Sequence, residues 1–153
     1  MTRMHEVRLT TVLVAAAAGL CLCASPASFA SPATSGTAAL PVDAPTVVNG
    51  IDVACTGIGQ MRLEGRWQGY GVRVEFSNAR NEYLTGAAIV VRDGAGRELM
   101  NVSCNAPWIL LRLPKGAYRV EGRLLDSAAK PRSAPFSPPA SGQSRVVLQF
   151  PDA

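Results

Sequence analysis

The sequence predicts an all-β protein, a two-layer antiparallel β-sandwich of about seven strands of the transthyretin-like or Ig-like kind. Three observations point there. Trp108-Ile109-Leu110-Leu111 is an unbroken apolar run, followed by the turn Pro114-Lys115-Gly116 and then by strict alternation. In that alternation Tyr118, Val120 and Leu124 oppose Arg119, Glu121 and Arg123, the period of two that leaves one strand face buried and one wet. Asp93-Gly94-Ala95-Gly96 between two apolar segments is a hairpin signal, because aspartate and glycine tolerate the left-handed backbone of tight connections. Finally, Cys55 and Cys104 each end an alternating segment on its apolar side, beside Ile51 and Val53 and beside Met100 and Val102.

Residues 1–30 read as an export signal peptide and are set apart from the fold. Arg3 and Arg8 make a short basic start, Leu9 to Cys23 are apolar, and Ser28-Phe29-Ala30 offers small residues to a signal peptidase. That apolar run is shorter than the roughly 20 residues of a membrane span, so the expected location is periplasmic or secreted, with no membrane attachment after cleavage. Residues 31–49, rich in Ala, Ser, Thr and Pro, read as a flexible linker, and 50–151 as the folded domain.

The domain's strands are expected over 51–56, 70–77, 86–92 and 97–104, on either side of the 114–116 turn, and over 145–150. Gly116 in that turn is expected to take a positive φ. Residues 60–69 fit a short helix or an ordered loop equally well. Residues 127–144 contain Pro131, Pro135, Pro138 and Pro139 and read as a long surface loop.

Chemistry-bearing residues are scarce. The only histidine, His5, lies in the leader, so the exported chain has no imidazole for acid–base work, a nucleophilic pair or a metal. No catalytic, cofactor or metal site is expected. The formal net charge of +4 falls by one with loss of Arg3, Arg8 and Glu6, and its signs are interspersed, so nucleic acid is not an expected partner. Cys21 and Cys23 leave with the leader, and Cys55 and Cys104 then form a disulfide in an oxidising compartment. A loop of about 50 residues so closed gains on the order of 4 kcal/mol in the chain-entropy treatment. Trp108 is expected to pack on that bridge inside the core. Arg62, Arg66, Trp67 and Tyr70 form the candidate contact patch, two exposed aromatics beside two arginines, for a protein or glycan of the cell envelope or, as the alternative, a small ligand; Trp67 and Tyr70 fit a lid over the open end of the sandwich equally well.

Leu113-Pro114-Lys115-Gly116-Ala117-Tyr118-Arg119-Val120 resembles the L-P-x-G-x-Y-x-V element of carboxypeptidase-regulatory-like domains, which are transthyretin-like sandwiches. Val90-Val91-Arg92-Asp93-Gly94-Ala95-Gly96-Arg97 is similar to that family's V-x-D-x-x-G strand–turn–strand. The run from Tyr83-Leu84 to Ile89, with Pro107-Trp108, resembles small exported proteobacterial proteins carrying one such domain. The resemblance spans about residues 50 to 150 and implies the sandwich fold and a docking or structural role without peptidase activity. Related adhesin domains carry a Lys–Asn/Asp cross-link. Here the lysines are Lys115 in the turn and Lys130 among the prolines, so no such bond is expected.

Overall fold

The computed structural model describes residues 36–153. The expected leader, with His5, Cys21 and Cys23, and the first residues of the expected linker lie outside the described residues. The described chain is all-β. Its strands are β1 (Ala38–Ala39), β2 (Pro45–Val48), β3 (Ile51–Thr56), β4 (Val72–Asn78), β5 (Ala87–Asp93), β6 (Glu98–Cys104), β7 (Trp108–Arg112), β8 (Tyr118–Leu124), β9 (Arg132–Phe136) and β10 (Ser144–Phe150). Among the described residues there is no α-helix, and no helix is long and apolar enough to cross a membrane.

The strands form two five-stranded sheets, ordered β1-β6-β5-β8-β9 and β10-β4-β7-β3-β2. Neighbours are antiparallel except β1–β6 and β10–β4, so both sheets are mixed rather than purely antiparallel. β10 arrives from the first sheet by a long connection and lies beside β4 in the same direction, from Ser144↔Val72 to Phe150↔Asn78. Such a crossover yields a parallel pair where a tight hairpin cannot.

Three of these strands depart from the sequence expectation. β1 and β2 occupy residues assigned to the flexible linker, and β9 lies in the expected proline-rich loop. All three are edge strands. An edge needs hydrogen bonds on one side only, so Pro45 and Pro135 are tolerated where a central strand would lose its ladder.

Alternation builds the core. Ile89, Val91, Met100, Val102 and Val120 of the first sheet share one buried cluster with Val53, Val74, Phe76, Ile109, Leu111 and Leu148 of the second. Each such side chain contributes about 1.5–3 kcal/mol on burial, so the cluster as a whole outweighs any single covalent staple. The staple is present: Cys55 on β3 and Cys104 on β6 are bonded, their Cα atoms 5.5 Å apart, joining one sheet to the other. Residues 38–48 cross from the first sheet to the second beside this bond. The Leu40 N–H donates to the Ser103 carbonyl at 2.9 Å, and the Asp43 N–H to the Cys55 carbonyl at 2.7 Å.

The Asp93–Gly96 connection joins β5 to β6 as expected, with Gly96 at φ 83°. Gly116 is different, because its φ is not positive. A Cβ there would sit 3.2 Å from the Tyr118 hydroxyl, whose O–H donates to the Pro114 carbonyl, so close approach and not handedness selects glycine.

Replacing Cys55 with Ser should lower the melting temperature by on the order of 10 °C, and reductant should do the same to the wild type. Equal melting with and without reductant would show that the bond bears no load. Gly122 lies on the inner face of β8, and a Cβ added there would fall 2.5 Å from Leu148 Cδ1 in the packed core. Gly122→Ala should therefore cost about 1–3 kcal/mol, and an unchanged denaturation midpoint would mean the sheets have room to separate.

Candidate functional site

Strand β7 is covered on both sides. Ile109 and Leu111 face the core, while Trp108 and Leu110 point to the outer side of the second sheet, yet are only 8% and 1% exposed. What covers them is the segment after β3, two short 3-10 turns at Gly59–Leu63 and Gly65–Gly69. Trp67 and Tyr70 fold down from it onto Ala54, Trp108 and Leu110 and form a second apolar cluster.

Polar contacts hold the cover in place. The Trp67 Nε1–H donates to the Met61 carbonyl at 2.6 Å, and Gln143 Nε2, just before β10, donates to the Tyr70 carbonyl at 3.0 Å. Guanidinium groups lie against the aromatic rings: Arg66 is 4.4 Å from the Trp67 ring centre, Arg73 4.5 Å from that of Trp108, and Arg112 5.2 Å from that of Tyr70. Burial pushes the Tyr70 phenol above its ordinary pKa, an effect the Arg112 charge partly offsets.

The four residues of the expected patch thus lie in one segment, but with a different arrangement. Trp67 and Tyr70 are 5% and 3% exposed, not open to solvent, because outward-facing Leu110 and Trp108 offer them an apolar surface to bury against. Trp108 likewise does not pack in the core on the disulfide. Ile109 and Leu111 take the inner face of β7, and alternation turns the indole outward, edge-on to Tyr83 at 6.0 Å. Its Nε1–H is buried without an acceptor.

Between the cover and residues 142–143 runs an open groove of about 560 Å³, within the range of ligand sites. Leu110 and Trp108 form its floor, and Leu63, Arg62, Trp67, Gln68 and Gln143 its rims, with Arg73 beside Trp108. Tyr70 lies beneath the cover rather than in the groove.

Arg73 is positioned from below by Glu75, which is fully buried on the outer side of β4. Arg145 from β10 donates from Nε to Glu75 Oε2 at 2.6 Å, and its terminal nitrogen is equally close. Arg73 Nε lies 2.7 Å from Glu75 Oε1, an off-axis ion pair rather than a straight hydrogen bond. Hydrogen bonding to Glu75 and its charge hold the Arg145 pKa above the ordinary arginine value. One carboxylate shared by two guanidiniums leaves this trio with a positive charge in excess.

Among the described residues no three His, Cys, Asp or Glu side chains converge to hold a metal. No protein-family model matches the chain, and no curated protein matches it. Sequence reasoning missed Arg73, Glu75, Leu110, Gln143 and Arg145 as members of this face. One signal for it was readable: a strand with large apolar side chains on both faces, Trp108 and Leu110 on one and Ile109 and Leu111 on the other, requires a second covering layer.

The two tryptophans should respond differently to replacement by phenylalanine. Trp67→Phe removes the partner of the Met61 carbonyl, whereas Trp108→Phe removes a buried donor that has none. Beyond the loss of packing common to both, the first should cost about 1 kcal/mol more in chemical denaturation. Equal losses, or the reverse order, would contradict this assignment of the indole hydrogen bonds.

Proposed function

We propose that the chain is an exported, non-enzymatic β-sandwich of the transthyretin-like, carboxypeptidase-regulatory kind that serves as a protein-interaction module in the cell envelope. Its contact surface is the outer side of the second sheet. The observation that carries this reading is the uneven distribution of exposed apolar side chains. Val47, Leu63, Tyr83 and Val147 are exposed on the outer side of the second sheet or its cover, Leu63 lining the groove, whereas Val42 and Leu125 are exposed elsewhere. The outward positions of β8 in the first sheet are Arg119, Glu121 and Arg123. A clustered apolar surface in a chain otherwise well able to bury such residues marks a place of contact. Export is supported by the buried Cys55–Cys104 bond, which persists in an oxidising compartment.

A glycan reader using Trp67 and Tyr70 is less favoured. Sugar binding by stacking needs an open aromatic face, and these rings are buried, Trp67 within the cover and Tyr70 beneath it, with arginines against them.

The test is site-specific photo-crosslinking in the native envelope. A photo-reactive residue at Leu63 or Val147 should capture a defined protein, while one at Glu121 or Arg123 should capture none. Equal capture from both faces, or capture from the first sheet alone, would reject the assigned surface.

A further inference from the structure

We infer that the groove over β7 takes an extended peptide segment of the partner in which a carboxylate side chain neighbours a bulky apolar one. This rests on the protein-interaction reading above and gives the partner a chemistry.

The floor sets the first requirement. Leu110 and Trp108 with Leu63 at the rim make an apolar trough, which gains from receiving an aliphatic or aromatic side chain. Charge sets the second. Arg62 on the rim has no ion-pair partner among the described residues. Glu64 is occupied by Arg66, and Glu75 divides one negative charge between Arg73 and Arg145. Arg62 and Arg73 therefore line the trough against Glu64 alone, which Arg66 already holds, and the complement of that field is an anion.

The rims set the third. Gln143 spends its Nε2 on the carbonyls of Trp67 and Tyr70, which leaves its Oε1 as an acceptor, and Gln68 stands exposed. Side-chain amides of this kind match the alternating donors and acceptors of a peptide backbone. The groove also opens at residues 142–143, next to edge strand β10, where an extended chain has room to pass. An acidic oligosaccharide would satisfy the charge but leave the apolar floor unfilled.

The chain's two tryptophans both line the groove, so their fluorescence reports its occupancy. The oxidised protein, expressed in full for export, would be titrated with the blocked tetrapeptide acetyl-Leu-Glu-Phe-Glu-amide. The same peptide with glutamine for glutamate, the same with lysine, and an oligogalacturonate serve as comparisons. The acidic peptide should bind at least about tenfold more tightly than the glutamine peptide and weaken as salt is raised, and the lysine peptide should not saturate. Arg62→Glu and Arg62→Gln should each weaken the acidic peptide, the first by about tenfold or more, with melting temperature unchanged. Equal affinity for the acidic and glutamine peptides, tighter binding of the oligogalacturonate, or no response to millimolar peptide would overturn the inference. If Leu63 and Val147 still crosslink a protein in the envelope while the peptides fail, this chemistry is wrong and the contact surface stands. If the acidic peptide binds but neither position captures a protein, the inferred chemistry stands and the envelope partner does not.

Discussion

A single strand with no wet face underlies what is distinctive in this molecule. Most strands of a two-layer fold bury alternate side chains and leave the rest to water. β7 buries Trp108, Ile109, Leu110 and Leu111 alike, so its outer side chains need a layer of their own. The chain supplies it from residues 59–70, too glycine-rich for a stable α-helix but long enough to lower Trp67 and Tyr70 onto Leu110. The groove is the space this small cover leaves between itself and the start of β10. Groove and packing requirement have the same origin.

Two arginines and the neighbouring rings explain how a glutamate comes to be fully buried on the outside of a sheet. Glu75 alternates outward as its strand demands. The water that would otherwise hydrate it is replaced by Arg73, Arg145 and the neighbouring rings. Removing a charge from water is costly unless its partners are close and hydrogen-bonded. Arg145 provides the straight hydrogen bond, and Arg73, less well aligned, is held over Trp108 at the groove. The trio is a positioning device as much as a stabilising one.

How much of this was legible beforehand depended on the range of the interactions involved. The Asp93–Gly96 hairpin and the alternating β8 are local patterns, and the chain follows them. The Cys55–Cys104 pairing followed from alternation and compartment. The edge strand β10 was legible from its alternation, but β1 and β9 were not: β1 is two residues of alanine, and β9 carries a proline, so neither has a periodicity to read. Nor was the face of Trp108, because whether an outward indole is wet or covered depends on a segment some forty residues earlier. The patch of Arg62, Arg66, Trp67 and Tyr70 was found as a segment, but Gln143 and Arg145 come from the other end of the chain and only the tertiary fold brings them to this face.

The passage of residues 38–48 from one sheet to the other has a chemical consequence. Both sulfurs are sealed from solvent, with Leu40 and Val42 laid across the edge where the bond sits. A thiolate attacks a disulfide only along an unobstructed approach to one sulfur, so a reductase meets backbone before it meets the target. How long the bond survives in a fluctuating redox environment is then governed by how often the N-terminal crossing peels away, a local opening far less costly than unfolding the whole domain.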